Sequence, residues 1–171
     1  HYLARSAKLN FVQPKWGGTW EAVEEVIADC DANYAAFPLL ANIKRTAESN
    51  MSSRGSAYEG TWNSKKTHRM MYESCRAQLE LSPDDLHVLA DAAYYAGHAD
   101  DLAIAADLFL KLGNRYPAGS EYSDLPKYHE WRVYVLTNHA NDSSIVDTPN
   151  ERELLETALA LDPTDGNVNG A

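Results

Sequence analysis

The spacing of three prolines constrains the fold of this chain more than any other feature of its sequence. Pro83, Pro117 and Pro163 each close a short polar or acidic stretch that follows an apolar helical pattern, and the first two are 34 residues apart. A period of about 34 residues is typical of repeats built from two antiparallel helices. The spacing therefore predicts an all-α chain of stacked antiparallel helical hairpins, a class that usually provides a binding surface rather than an active site.

Residues 86–117 fit such a hairpin best. Counted back from Pro117, two residues of the first helix and two of the second take the positions where the helices pack. These residues are Leu89, Ala93, Ala105 and Phe109. In its A-x-x-x-F pattern and final proline the segment resembles the tetratricopeptide repeat, which implies an α-α superhelix, although Gly97 precedes the usual turn glycine. An ordinary antiparallel helix pair is the alternative, and it differs little in shape.

One period upstream the pattern is weaker and predicts a degenerate repeat. Its second-helix positions are Met71, Cys75, Gln78 and Leu79. The preceding helix, over residues 56–67, has few large apolar side chains, so we expect it to be short or irregular. Ser82 is predicted to cap the next helix, because Pro83 follows it at the first helical position and an acid stands three residues after it.

Downstream, Pro163 follows Pro117 by 46 residues, and we place the excess over one period in a loop at 141–147. Residues 148–151, Thr-Pro-Asn-Glu, form a capping box for a second helix. That helix carries the apolar stripe Leu154, Leu155, Ala158 and Leu159. Its partner helix is expected from about Leu125 to His139.

These segments predict a single helical-repeat domain over residues 1–171. It consists of a Trp-Gly-Gly hairpin at 1–48, a degenerate repeat at 52–83, the best repeat at 84–117 and a stretched repeat at 125–163. The unequal spacing argues against a regular superhelix and favours an irregular helical stack.

A turn rich in tryptophan and glycine separates two helical patterns near the start of the chain. Its residues are Pro14, Lys15, Trp16, Gly17, Gly18, Thr19 and Trp20. The adjacent glycines permit a positive φ and a close approach of backbones, and Thr19 is suited to cap the following helix. We expect Trp16 and Trp20 to pack across the turn against neighbouring helices, and the alternative is that they line a ligand pocket.

This turn resembles a motif of the bacterial domain-of-unknown-function family 4034, in which proline and a basic residue precede Trp-Gly-Gly and Ser or Thr. The similarity covers residues 14–19 and the helix to about Ala28. It implies a bacterial origin and a tetratricopeptide-related helical architecture, and it transfers no catalytic residue. Because the chain begins at His1 within a helical pattern, we interpret it as processed or as a fragment, and both the bacterial cytoplasm and the periplasm stay open as its compartment.

The charge of the chain narrows the class of partner. With 25 acidic and 15 basic residues the net charge is −10, which repels phosphate backbones and argues against nucleic acid. No apolar run is long enough to predict a membrane span. We therefore expect a protein or peptide partner, and a basic one fits best.

The sequence offers no pattern typical of catalysis or metal binding. The six histidines lack HExxH or His-x3-His spacing, so no metal site is predicted. Cys30 and Cys75 lack CxxC spacing and do not lie at a nucleophile turn, while a disulfide between them stays open. Glycine loops for phosphates or dinucleotides and the G-x-S-x-G motif are also missing from the sequence. We therefore predict no cofactor and no catalytic residue.

The leading functional hypothesis is a protein interaction module that binds a peptide or partner protein through the first-helix side of the best repeat. The expected contact residues are His87, Ala90, Tyr94, Gly97 and His98. Gly97 is expected to let a ligand backbone approach. The alternative for Tyr94 and Tyr95 is that they fill the groove between repeats.

Two other functions stay open. One is an enzyme, or an accessory domain of an enzyme, with a site near Trp16, Trp20 and Trp62. The other is a bacterial immunity-type protein that neutralises a basic toxin through an acidic face. That face consists of Glu21, Glu24, Glu25 and Asp29.

Overall fold

The computed structural model describes residues 2–52, 60–113, 115–117, 120–121, 125–142, 156–157 and 160. Within these ranges the chain forms helices and turns and no strand, which confirms the predicted all-α class. The longer helices are α1 (Tyr2–Val12), α2 (Trp20–Asn33), α3 (Leu40–Ser52), α4 (Lys65–Leu79), α5 (Leu86–His98), α6 (Leu102–Leu112) and α7 (Leu125–Asp142). None of these helices combines the length and apolar character needed to cross a membrane.

The chain divides into two compact units, His1–Leu81 and Ser82–Ala171. The division falls next to the predicted boundary between the degenerate and the best repeat. Within each unit consecutive helices pack on one another, as expected for helical hairpins. The single domain, the repeat boundaries and the tetratricopeptide-like superhelix stay predictions.

Several predicted features lie outside the described residues. They are the capping box at 148–151, the stripe residues Leu154, Leu155, Ala158 and Leu159, and Pro163. The first helix of the predicted stretched repeat is α7, which begins at Leu125 as expected and extends to Asp142. The first two residues of the predicted loop at 141–147 are therefore helical.

The first unit is built on a cluster of three helices rather than on one hairpin. Helices α1, α2 and α3 contact one another, and α3 runs past residue 48, the predicted end of the Trp-Gly-Gly hairpin. On α2 the apolar residues recur at helical spacing, so they share the face that packs on α1 and α3. The buried core residues are Leu9, Val23, Val26, Ile27, Cys30, Leu40, Ile43, Ala47 and Met51.

An ion pair joins α1 to α2 at the edge of this core. The Arg5 guanidinium donates from Nε to Asp29 Oδ2 at 2.5 Å and from Nη2 to Asp29 Oδ1 at 3.2 Å. The hydrogen bond from Arg5 lowers the pKa of Asp29, and Asn33 Nδ2 donates a further hydrogen bond to the same carboxylate at 2.9 Å. Such a two-point contact fixes the mutual orientation of the helices better than a single charge contact does.

The Trp-Gly-Gly turn is tight for two different reasons. Gly17 has a φ of 89°, a left-handed conformation that side chains disfavour. A Cβ on Gly18 would instead overlap the Val12 carbonyl, so this glycine allows a close approach of two backbone segments. Thr19 caps α2 by accepting a hydrogen bond from Ala22 N at 3.2 Å, as predicted.

The two tryptophans of the turn have different environments. Trp20 packs against the core of the first unit, as predicted. The expectation for Trp16 is wrong, because this side chain is 69% exposed. It ends the 3-10 turn Pro14–Trp16, and the left-handed Gly17 reverses the chain immediately afterwards. The indole is therefore left in solvent, where Lys15 Nζ lies 6.0 Å from its centroid.

The degenerate repeat is irregular in its described part. A 3-10 turn occupies Thr61–Asn63, and α4 starts at Lys65 with Ser64 as its N-cap. The helix predicted over 56–67 is thus absent from residues 60–64, in agreement with its expected irregularity. Of the predicted second-helix positions, Met71 and Cys75 are buried, while Gln78 and Leu79 are half-buried.

The second unit contains the hairpin that the sequence predicts best. The four predicted packing residues, Leu89, Ala93, Ala105 and Phe109, are all buried between α5 and α6. The turn between these helices contains Asp100, whose φ of 68° is left-handed, so Asp100 rather than Gly97 provides the reversal. Gly97 lies inside α5.

Two predicted helix ends of this hairpin are corrected by the structure. The N-cap of α5 is Asp85 rather than Ser82, since the Asp85 carboxylate accepts hydrogen bonds from His87 N at 3.0 Å and Val88 N at 3.2 Å. A carboxylate also interacts favourably with the positive end of the helix dipole. Helix α6 ends at Leu112 and is capped by Gly113, which has a φ of 58°, so Pro117 follows the helix end without causing it.

Tyr128 fixes α7 against the end of the hairpin. Its hydroxyl donates to the Arg115 carbonyl at 3.1 Å, and its ring packs edge-on against Phe109. Arg132, one helical turn further along α7, is only 1% exposed. Burial lowers the pKa of Arg132. This face of α7 is therefore committed to the interior of the unit.

The two glycines of the Trp-Gly-Gly turn are expected to respond differently to substitution by alanine. Gly17→Ala should cost about 1 kcal/mol of unfolding free energy, because it places a side chain in the left-handed region where space is open. Gly18→Ala should cost about 3 kcal/mol or more, because the added methyl overlaps backbone that cannot move aside. Urea unfolding of the 171-residue chain measures both values, and equal losses would contradict the assignment.

Candidate functional site

Four aromatic side chains of the second unit form a continuous row, which we call the aromatic row. Tyr94 and His98 come from α5, and Trp131 and Tyr134 come from α7. The ring centroids of Tyr94 and His98 are 4.2 Å apart, with the rings tilted by 58°. His98 stacks on Trp131 at 4.2 Å and 9°, and Trp131 stacks on Tyr134 at 5.0 Å and 18°. These distances are typical of direct ring contact.

The helical period explains why each helix contributes two rings. Tyr94 and His98 are four residues apart on α5, and Trp131 and Tyr134 are three apart on α7. Residues at either spacing lie on one face of a helix. On α7 the exposed Tyr134 lies on the side away from the buried Arg132, whereas the half-buried Trp131, three residues after Tyr128, lies between the exposed and buried sides.

The absence of a side chain at Gly97 brings the two helices' rings together. A Cβ built on Gly97 would lie 3.0 Å from Trp131 Cζ2 and 3.2 Å from Trp131 Nε1. The edge of the indole therefore packs directly on the backbone of α5. This contact leaves Trp131 Nε1 buried and without a hydrogen-bond partner. The indole consequently contributes its ring, and not its N–H group, to the surface of the site.

The aromatic row lines a cavity of about 500 Å³. Among the described residues, three charged side chains also line it, namely Glu121, Lys127 and Glu130. The Glu121 backbone is held in place because its N–H donates to Asp91 Oδ1 of α5 at 2.7 Å. Glu130 is exposed and Tyr134 is 49% exposed, so the wall formed by α7 faces solvent.

Two of the predicted binding residues, Tyr94 and His98, line this cavity. His87 is exposed near the start of α5 and does not line it, and Ala90 is buried. Gly97 is buried under Trp131, so the space above it is taken by an indole of the same chain rather than left for a ligand backbone. That these residues bind a ligand stays a prediction.

The sequence interpretation missed the contribution of α7 to the site. Trp131, Tyr134, Lys127 and Glu130 fall within the helix predicted from about Leu125 to His139, and neither they nor Glu121 are predicted as site residues. Trp131 and Tyr134 are three residues apart, and Glu130 and Tyr134 are four apart. These spacings were a usable signal that the three side chains lie near one another on α7. No usable signal in the sequence indicated that this face of α7 pairs with α5. That pairing depends on the contact of Trp131 with Gly97, and the two residues belong to segments far apart in the chain.

A second cavity, of about 240 Å³, lies beside Trp62 in the first unit. It is lined by Arg45, Thr46, Ser49, Asn50 and Trp62, and neither Trp16 nor Trp20 reaches it. The Arg45 guanidinium lies 6.0 Å from the Trp62 ring centroid. Among the described residues this lining holds one ionisable side chain, which does not provide the acid and base expected of an enzyme site near the tryptophans.

Neither cysteine has the environment of a nucleophile. Cys30 and Cys75 are both buried free thiols, so the structure contains no disulfide between them. Burial raises the pKa of Cys30 to about 11, which disfavours the reactive thiolate. No group of histidine, cysteine and acidic side chains in the described part of the chain is arranged to hold a metal ion.

The predicted acidic face on α2 is only partly a solvated surface. Glu21, Glu24 and Glu25 are exposed, whereas Asp29 is engaged by Arg5 of α1. These three glutamates are the exposed part of the predicted acidic face. The linings of the two cavities described above do not include these glutamates, so the aromatic row is the stronger candidate site.

Comparison with family models, with curated proteins and with solved structures finds no match to this chain. The resemblances to the tetratricopeptide repeat and to family 4034 therefore stay predictions. The candidate site is supported by its own geometry alone.

Gly97→Ala is expected to displace Trp131 without unfolding the chain. Alanine favours a helix interior over glycine by about 1 kcal/mol, and this gain offsets the strain of a methyl group 3.0 Å from the indole. We expect the unfolding free energy to change by less than about 1 kcal/mol while the near-UV circular dichroism of the stacked rings decreases. An unchanged near-UV spectrum would show that the contact does not position Trp131.

The raised pKa of Cys30 predicts a loss of stability in alkaline solution. The pKa is about 11 in the folded chain and 9.0 for an ordinary thiol, so the unfolded chain ionises first. The stabilisation is therefore complete below pH 9 and declines as the pH rises towards 11. Urea unfolding between pH 8 and pH 10.5 measures the decline, which Cys30→Ala should reduce. At pH 8, iodoacetamide should label Cys30 much faster in urea than in the folded chain.

Proposed function

We propose that this chain is a protein interaction module that binds a peptide segment of a partner in the cavity along the aromatic row. The observation that carries this proposal is the juxtaposition of four contacting rings with three charged side chains around one cavity of about 500 Å³. Ligand sites commonly have such a volume and combine apolar walls with a few polar groups.

The chemistry of the lining suits a peptide. Large rings supply apolar contact area and lose little rotational freedom on binding, which is why tyrosine and tryptophan are frequent in binding surfaces. Glu121, Lys127 and Glu130 offer contacts to backbone amides or to charged side chains. Because Tyr134 and Glu130 are accessible from solvent, a segment of a larger partner reaches them without opening the fold.

The same lining does not favour the enzyme alternative. Serine, threonine and cysteine do not occur among the described residues that line the cavity. The described lining therefore provides none of these three nucleophiles for covalent catalysis. The predicted helical-repeat architecture supports an interaction module independently, since such folds usually act as binding surfaces.

The proposal is tested by selecting binders from a displayed library of random peptides on the 171-residue chain. We expect binders whose affinity falls at least about 10-fold with Tyr134→Ala, because truncation of a tyrosine at the centre of an interface typically costs more than about 1.4 kcal/mol. Phe11→Ala is the matched control, since Phe11 is an exposed aromatic residue of the first unit.

The measurement is isothermal titration calorimetry of each selected peptide with both variants. Circular dichroism first establishes that the variants are folded. Failure to select any peptide would contradict the proposal. Binders that respond equally to Tyr134→Ala and Phe11→Ala would contradict the assignment of the cavity as the binding site.

A further inference from the structure

We infer that the partner side chain recognised in the cavity is that of arginine, held between the aromatic row and the carboxylate of Glu130. This inference rests on the proposed function and adds the chemical class of the ligand to it. Three features of the second unit support it: the accessible ring of Tyr134, the position of Glu130 on the same helix, and the charge of the lining.

The accessible ring provides a platform for a flat cation. Tyr134 is the most exposed member of the aromatic row and stacks on Trp131, which holds its ring in place. The faces of aromatic rings carry partial negative charge and attract cations. A guanidinium group is planar and weakly hydrated, so it stacks on such a face more readily than an ammonium group does.

A carboxylate lies on the same face of α7. Glu130 precedes Tyr134 by four residues, and both line the cavity. Side chains at this spacing are neighbours on a helix surface. A guanidinium placed against the Tyr134 ring is therefore next to the Glu130 carboxylate, which can accept two parallel hydrogen bonds from it. Stacking and bidentate pairing together are a combination that arginine satisfies and lysine does not.

The charge of the site and of the chain favours a cation. Glu121 and Glu130 contribute two negative charges to the lining, and Lys127 contributes one positive charge. The chain as a whole carries a net charge of −10, which raises the encounter rate with a basic segment. A neutral side chain in the same position would displace water from the Glu130 carboxylate without replacing the hydrogen bonds of that water, and such a loss is unfavourable for a charged group.

The test uses three small probes on the 171-residue chain, namely the amides of N-acetylarginine, N-acetyllysine and N-acetylcitrulline. Citrulline keeps the planar shape of arginine and removes its charge. Titrations followed by nuclear magnetic resonance should show shifts at Trp131 and Tyr134, with the arginine probe binding at least about 5-fold more tightly than the other two.

Two variants locate the contact. Glu130→Gln should weaken the arginine probe about 5-fold and leave the citrulline probe nearly unchanged, because it removes the charge and preserves the size of the side chain. Glu25→Gln, an exposed glutamate on α2, is the matched control and should change neither probe. Circular dichroism of each variant establishes that it is folded.

Several results would overturn the inference. Equal affinity for arginine and citrulline would show that charge is not recognised, and equal affinity for arginine and lysine would exclude stacking with bidentate pairing. Shifts away from α7, absent shifts, or an arginine affinity insensitive to Glu130→Gln would show that the contact lies elsewhere. The proposed peptide-binding function is judged separately, by the selection of displayed peptides and their response to Tyr134→Ala.

Discussion

The candidate site depends on the contact between the backbone at Gly97 and the indole of Trp131. Glycine is a weak helix former, and at position 97, in the last turn of α5, it leaves room for the Trp131 ring of the neighbouring helix to pack on the backbone. Through that contact His98 meets Trp131 face to face, and Trp131 in turn supports Tyr134. The weak helix former in α5 is therefore what allows an ordered row of rings across two helices.

Helix α7 has a buried side and an exposed side with different roles. One side carries the buried Tyr128 and Arg132, and Tyr128 holds the helix against the end of the hairpin through its ring contact with Phe109 and its hydrogen bond to the Arg115 carbonyl. Glu130 and Tyr134 lie on the exposed side, Trp131 lies between the two sides, and all three line the cavity. A buried anchor of this kind keeps side chains on the opposite face in defined positions, and this preorganisation reduces the entropy that binding has to overcome.

The sequence predicted those parts of the fold that depend on local patterns. Leu89, Ala93, Ala105 and Phe109 are buried as expected, because helical spacing alone determines which residues share a face. The prediction that Ser82 is the N-cap of α5 was wrong because Asp85 directly precedes the helix and its carboxylate accepts the capping hydrogen bonds. The contact between Gly97 and Trp131 was out of reach: the two residues are 34 positions apart, but whether they meet depends on how α7 docks on α5.

The hydrogen bond from the Glu121 backbone to Asp91 affects which residues of the cavity lining can change in sequence without disturbing the fold. It fixes one charged group of the cavity through a connecting segment, whereas the rings and Glu130 are fixed by helices. Residues in connecting segments change with little effect on a hydrophobic core. A substitution of the Glu121 side chain therefore changes the charge of the cavity lining and leaves the hairpin intact, so the lining and the fold can vary independently in sequence.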